Sequence, residues 1–523
     1  MRHFLERLAG YFPAVVALAL PTAFLPTFAT DAFILPRAAI VIAGACLGAG
    51  LAVLLQGGQN LGSMRWPLAT SALAALLAFL FSISWPLSLA GSYTRYESLP
   101  VRIAYLGLFA VSVWLIRDRR GRDLVSAAFV LGTAVACVEA IHQWSSQAPY
   151  RPDGNLGNAN LLGALIAMAA PLALGRAIQG GQYAVAWWMA LPVLLAGLLV
   201  STSRSGGLGM LAGCLVVLVF ALRGRAAMAA GLASTSVIGL ALLFILLSPL
   251  RLLNEDPGPA RLHLWPDGLH MIAARPLTGW GLDTTGLAYG HFLSGDWSPG
   301  VTFDRIHSGP LDLAATQGLI GLAALSWVLI TFVRGAWTSR FDAGVAPLAA
   351  ACAGYTVWVA FNFDWAPVTG VFWLLAGTAW SAVREAHSAP RGDRQARAPA
   401  WWRSSLAVTA VAAAVVFGTM PVLAETWLWH GRSDLATVVD PFQAQYHWSW
   451  GQTLIVRGRL AQGVDELRRA ADYGETAPAL YVELGDRERE LGRPANARAA
   501  YRRALFIDPY YGPAKERLAA TVA

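Results

Sequence analysis

The chain reads as a succession of apolar stretches, each about as long as a bilayer core is thick, separated by short polar breaks. Thirteen such stretches occupy residues 9–29, 36–55, 67–90, 98–116, 123–143, 159–178, 183–200, 206–222, 226–249, 309–333, 345–362, 366–383 and 404–424. About twenty apolar residues in a helix cross a hydrocarbon core of about 30 Å, and a helix satisfies its own backbone where water cannot. The pattern predicts an all-α polytopic membrane protein of about 13 transmembrane helices. The first stretch follows a short segment containing Arg2 and Arg7 and shows no small-residue cleavage site. It reads as a retained anchor rather than a removed leader.

Two longer polar regions interrupt the pattern. Residues 250–308 are too long for a simple connector, and Trp265, Trp280, Tyr289, Phe292 and Trp297 are spread through them, which argues for an ordered loop with a function. A helix-like piece from Pro259 to Ile272 is followed by Pro276, Gly279 and Gly281. The other region, 425–523, repeats itself with a 34-residue offset. Trp450-Gly451 recurs as Leu484-Gly485, Gly458 as Gly492, Leu467 as Tyr501 and Ala470 as Ala504. Ala497, Tyr501, Ala504 and Pro509 resemble the small, aromatic, small and proline positions of tetratricopeptide repeats, which predicts an α-solenoid of stacked helix pairs. The expected division is thus a membrane core over 1–403 with its long loop at 250–308, a last span at 404–424, and a repeat region at 425–523.

Composition agrees with the pattern. Of 523 residues 56% are hydrophobic and 13% charged, at a mean hydropathy of +0.50; a soluble domain carries about twice that charge. A disordered chain, a secreted disulfide scaffold and a nucleic-acid binder are excluded. The net charge of +8 lies in connections between apolar stretches, where it reports orientation. With the N-terminus inside, the cytoplasmic connections 1–8, 56–66, 117–122, 179–182, 223–225, 334–344 and 384–403 hold 16 arginines. The short loops opposite hold Arg37, Arg95, Arg151 and Arg204. An odd number of spans then puts the repeat region outside the cytoplasm. Cys46, Cys137, Cys214 and Cys352 all lie in apolar stretches without paired spacing and read as packing residues.

Polar chemistry gathers on the outer side at four places. Arg95 follows Gly91 in a loop that opens a helix; its planar fork suits phosphate, or it pairs with Glu97 on the surface. Asn158 and Asn160 stand in a turn-rich stretch from Gly154, where either caps the next helix. Ser203 and Arg204 join two spans, and an arginine between helix ends is costly unless an anion meets it; the next helix N-terminus adds donors for that anion. Arg261 and Trp265, then Arg275 to Gly281, lead to His307 at the mouth of a span, where a histidine serves as a general base or as a structural residue.

In their order, these stretches make the chain similar to the O-antigen ligase and polymerase superfamily of bacterial glycan transferases. The similarity is carried by Arg95 to Leu99, Gly154 to Asn160, Ser203-Arg204, Arg261 to Trp265, Arg275 to Leu282, His307 to Leu311 and Gln317 to Gly321. It covers roughly residues 10–385; Ser308 stands where many members have Asn. The resemblance implies a multi-spanning glycosyltransferase that is inverting, metal-independent and without a cofactor. It implies a polyprenyl (undecaprenyl) diphosphate-linked glycan as donor, used at the periplasmic face of the inner membrane. By motif, His307 is the expected base and Arg204 the main diphosphate-binding and charge-stabilising residue, with Arg95 and Arg261 as supporting cations. Diphosphate leaves without a general acid, and arginine forks can hold its growing charge. The acceptor is lipid A–core in a ligase, which is the family's default. It is another carrier-linked glycan in a polymerase and a protein hydroxyl in a protein O-oligosaccharyltransferase. The repeat region implies a protein partner or a means of positioning the acceptor. A lipid-linked glycan transporter or a membrane-anchored scaffold are the competing classes; span interiors nearly free of charge, with Arg102, Glu139 and Asp312 as exceptions, weigh against the first.

Overall fold

Helices are the form these apolar stretches take among the described residues. The computed structural model describes residues 2–55, 60–226, 229, 233, 236, 260–387 and 400–521, and no strand occurs among them. The first nine helices are α1 (Arg2–Thr22), α2 (Ile34–Leu55), α3 (Arg65–Leu80), α4 (Trp85–Ala90), α5 (Leu99–Leu115), α6 (Arg119–Ser145), α7 (Ala159–Gln179), α8 (Ala184–Ser201) and α9 (Arg204–Ala221). The long loop carries α10 (Arg261–Ala274) and α11 (Thr285–Ala288). Then come α12 (Gly309–Thr338), α13 (Ala346–Val359), α14 (Ala366–His387) and α15 (Ala400–Ala414), the last running through a π turn at Val415–Thr419 into α16 (Met420–Trp429).

Among the described residues nine helices are long and apolar enough to cross a membrane, and three more are apolar but shorter. Twelve of the thirteen expected segments coincide with one of these helices; 226–249 lies, but for Ala226, Ala229, Ala233 and Ser236, outside the described residues. The segment expected at 67–90 divides at Phe81–Ser84 into α3 and the short α4, whose N-cap Ser84 accepts from the Leu87 N–H.

The core lies along α14, buried at every residue from Ala366 to Val383, and along α7, nearly as covered. Both are rich in Gly and Ala, and in lipid such small side chains let helix backbones approach closely. Gly163 of α7 faces Ser203 and Gly206 at the start of α9, and Gly209 faces Gly354 of α13. α8 and the span formed by α15 and α16 are little buried, as peripheral helices facing lipid would be.

The connections sort into two ends. At one end Arg122 pairs with Glu385 at 2.6 Å, Arg176 with Asp123 at 2.7 Å, and Arg384 donates to the Asn60 carbonyl. The arginine-rich connections thus share an end. At the other end lie the loops around 23–33, 91–98, 146–158, 201–203, 275–308 and 360–365, joined by contacts such as Arg37 to the Asn155 carbonyl and Trp365 to the Thr94 carbonyl.

After α16 come α17 (Ser433–Val439), α18 (Ala444–Val456), α19 (Leu460–Asp472), α20 (Pro478–Glu490), α21 (Pro494–Ile507) and α22 (Gly512–Ala520). α18 packs on α19 as α20 packs on α21. The packing repeats residue for residue: Gly451 lies against Leu467, and 34 positions on Gly485 lies against Tyr501. Ala470 and Ala504, one offset apart, are both fully buried.

Candidate functional site

The loop bearing Arg95 is short, strained and tied at nearly every residue. Gly91, Thr94 and Tyr96 all have φ between +55° and +83°, a region that costs side-chain-bearing residues about 1–3 kcal/mol each. The surroundings hold them there. The Gln443 amide donates to the Gly91 carbonyl at 3.2 Å, and Asp283 Oδ2 accepts from the N–H groups of Ser92 (2.6 Å) and Glu97 (3.1 Å). Tyr93 donates to Glu425 at 2.8 Å, and the Trp365 indole donates to the Thr94 carbonyl at 3.1 Å. Arg95 itself grips Asp304 with two nitrogens, Nε at 2.5 Å and Nη2 at 3.3 Å. Its guanidinium lies over Trp365 and Phe363, 4.4 and 5.1 Å from the ring centres. The surface alternative, Arg95 with Glu97, is not the pair formed; Glu97 is buried and turns to Arg102 at 3.2 Å and to the Tyr105 hydroxyl at 2.6 Å.

His307 closes the long loop at φ +55°. The residue before it is fixed by α12: Asp312, in the first turn, accepts the Ile306 N–H at 2.9 Å. The imidazole meets the Phe363 ring edge-on at 5.2 Å. Arg305, buried, pairs with Asp283, donates to the Asp304 carbonyl at 3.0 Å, and lies 5.9 Å from the centre of the same Phe363 ring. Arg95, Arg305 and His307 therefore surround one aromatic side chain. Burial alone would raise the Asp304 carboxyl, but the Arg95 and Arg305 guanidiniums, with His307 nearby, outweigh it and hold it at about 2.

Phe363 belongs to the 360–365 loop between α13 and α14, the hinge of the whole arrangement. Phe361 packs against Trp265, one turn after Arg261 on α10. Asp364 accepts from Arg102 at 2.5 Å and from the Tyr355 hydroxyl at 2.9 Å. Beneath these groups a cavity of about 120 Å³ runs into the membrane core, past Gln317 to Leu106, Leu325 and Leu329.

Arg204 reaches the same end by another route. It opens α9 behind the N-cap Ser203, whose Oγ accepts the Gly206 N–H at 3.3 Å and lies 3.2 Å from Asn160 Oδ1. Asn158 caps α7, accepting from the Asn160 N–H at 2.8 Å. Arg151 crosses this corner, donating to the Ser201 carbonyl at 2.9 Å and to Thr202 and Asn160 at 3.2 and 3.4 Å. Because Gly209 meets Gly354 on the antiparallel α13, Arg204 stands near the level where α13 gives way to the 360–365 loop. Arg95 and His307 thus share a cluster, Arg261 flanks it through α10, and Arg204 approaches from the α7–α9 corner.

Reading the sequence left out Asp283, Asp304, Arg305 and the 360–365 loop. The run Phe361-Asn362-Phe363-Asp364-Trp365, three aromatics and an acid between two spans, is the local signal that could have drawn notice. The partners of Arg305 and Arg95 had none.

No curated protein matches the chain. Residues 189–326 match the family model described as O-antigen ligase, a segment that runs from within α8 past Arg204, Arg261 and the 275–281 turn to His307 and into α12. Membrane helices arranged around this segment, with Arg204, Arg261 and His307 toward one end of the bundle, agree with that match, which supports the similarity of the chain to the O-antigen ligase superfamily.

Proposed function

We propose that the protein transfers a glycan from a polyprenyl diphosphate carrier to an acceptor at the periplasmic face of the bacterial inner membrane, with lipid A–core as the acceptor. The gathering of Arg95, Arg305 and His307 around Phe363, with a largely apolar cavity nearby that Arg102, Asp364 and Gly309 help to line, carries the reading. A diphosphate needs fixed cations at the membrane surface, and its prenyl chain needs an apolar path below them. Arg204 binds the diphosphate as its main cation, with Arg95 and Arg261 in support. As the bond from the anomeric carbon to the diphosphate breaks, these guanidiniums take up the charge on the leaving oxygen. His307 receives the proton of the acceptor hydroxyl, whose oxygen attacks the opposite face of the sugar and inverts it. No metal or other cofactor enters this scheme.

The N-terminus is cytoplasmic in this reading, and the C-terminal helices, read as tetratricopeptide-like repeats, stand in the periplasm. Their 34-residue recurrence of the same glycine-to-bulky contact supports the repeat reading. The test is glycan transfer in cells lacking the native enzyme, with wild type compared with His307→Ala and Arg204→Ala at equal expression. Membranes are resolved for carrier-linked, lipid A-linked and protein-linked glycan. Carrier-linked glycan accumulating in both variants, and cleared by wild type, supports the transferase; the labelled product distinguishes ligase from polymerase and protein-glycosylating enzyme. Variants matching wild type would return the choice to a transporter or a scaffold.

A further inference from the structure

Glu425 lies near the end of the last apolar helix, fully buried, and its carboxylate is shared among three segments far apart in sequence. Oε1 accepts the Asp31 N–H and the Tyr93 hydroxyl, both at 2.8 Å; Oε2 accepts the Tyr446 hydroxyl at 2.9 Å. A carboxylate taken out of water is tolerated when charge-assisted hydrogen bonds replace its hydration, and here three donors do so. Each donor leads somewhere distinct. Asp31 itself accepts the N–H groups of Ile34 and Leu35 at the start of α2. Tyr446 belongs to α18, and Gln443, just before that helix, holds the Gly91 carbonyl. Tyr93 stands two residues before Arg95. Burial and the neighbouring Glu425 carboxylate both push the Tyr93 hydroxyl well up from its ordinary value, so it remains the donor.

These links do more than join helices. Thr94 and Tyr96, on either side of Arg95, hold positive φ, so the direction of the Arg95 side chain depends on what pins the loop. Asp283 pins Ser92 and Glu97, Trp365 pins Thr94, and Tyr93 is pinned by Glu425. We propose that Glu425 is a positioning residue for Arg95, acting through Tyr93, and that it makes the C-terminal region part of the support of the transfer site. The proposal rests on the reading of Arg95 as a cation facing the donor diphosphate.

The experiment is a double-mutant cycle on full-length protein in nanodiscs. The donor is an undecaprenyl diphosphate-linked oligosaccharide and the acceptor lipid A–core, with kcat and donor KM measured separately. Tyr93→Phe removes one hydroxyl and leaves the ring, so it should fold even where Glu425→Ala does not. Loss of alignment predicts a fall in kcat of about tenfold, with a smaller change in KM and a loss of stability no larger than that of one buried hydrogen bond, about 1–3 kcal/mol. In the Arg95→Ala background the same change should cost nothing further, because the residue it positions is gone. Tyr446→Phe removes the hydrogen bond to the other oxygen of the same carboxylate, Oε2, and should lower kcat in the same direction as Tyr93→Phe but by less, since it acts on Arg95 only through Glu425. The proposal is overturned if Tyr93→Phe and Arg95→Ala slow transfer multiplicatively, or if Tyr93→Phe is silent while Arg95→Ala is not. A silent Arg95→Ala overturns the role given to Arg95 itself and this proposal with it. A wild type without transfer overturns the transferase reading beneath both.

Discussion

His307 occupies a backbone conformation that an L-residue leaves unless something holds it there. At φ +55° it carries strain of about 1–3 kcal/mol, retained by Asp312 behind it and by the paired Asp304 and Arg305 before it. His307→Gly should therefore lose transfer as fully as His307→Ala, by about 10²–10⁴-fold if the ring is the base, yet unfold at a higher temperature than His307→Ala. Thermal unfolding of the two purified variants checks this. Asp304 gives a second prediction. A carboxyl held at about 2 in the folded protein contributes stability that is present above its ordinary value of about 4 and lost as pH falls through about 2. Asp304 therefore stays ionised throughout the working range. Asp304→Asn removes the titrating group, so unfolding stability measured against pH should lose the part of its dependence between about pH 4 and 2 that Asp304 supplies; an unchanged dependence assigns that part to another carboxyl. Neither partner is legible in the sequence. Arg95 and Asp304 are 209 positions apart, and an ion pair across that distance leaves no local pattern.

At the scale of elements, α12 shows what the sequence conveyed and what it withheld. The apolar stretch is legible, and so are the two short motifs from Arg275 to Gly281 and from Gln317 to Gly321. Their relation is not. Gly318 interrupts α12 at φ +68°, and the freed backbone groups are taken up by the loop alongside. Trp280 and Gly281 donate to the carbonyls of Ala315 and Thr316, while Leu319 and Ile320 donate to those of Pro276 and Leu277. A broken helix at membrane depth is tolerated when neighbouring backbone satisfies it in this way. The two motifs are one structural unit, and their glycines are explained by it. A methyl group on Gly318 would overlap the Leu277 carbonyl, and one on Gly279 would crowd the backbone of Thr316. Gly318→Ala combines left-handed strain with a backbone clash, so it should destabilise the protein by about 2 kcal/mol or more and lower transfer, because the turn that carries His307 rides on this helix. An unchanged thermal midpoint would mean the helix closes without its break. Hydropathy likewise hid the division of 67–90: Phe81 is apolar enough to join α3 to α4 in any running average, and only Ser84, a good N-cap, marks the new start.

On the scale of the whole molecule, the C-terminal helices are seated on the site loops instead of hanging from the last span. His291 stacks on Phe506 at 5.2 Å, Trp85 meets Phe442 edge-on at 5.2 Å, and Thr302 donates to Asp508 at 3.3 Å. Leu87 and Leu287, from the site end of the bundle, share one apolar cluster with Val464, Leu467 and Ala504. The 34-residue period was legible in the sequence because it is local; this docking was not, since it joins residues far apart in the chain. It has a consequence for the site, because the docked loop is the one that runs through Asp283, Asp304 and Arg305 to His307. Gly290 is where that contact is tightest: a side chain there would overlap the Ile507 carbonyl and approach Pro509. Gly290→Val should push α21 off the loop without touching Arg95, Arg204 or His307. Limited proteolysis should then cut between α16 and α18, near Gly431, faster than in wild type, since a released region opens at its connections. Transfer should fall with it, because Gln443 and Tyr446 withdraw from the Arg95 loop together. Rapid cleavage with wild-type transfer would instead make the C-terminal region a separable module, whose work lies with a partner and not with the orientation of Arg95.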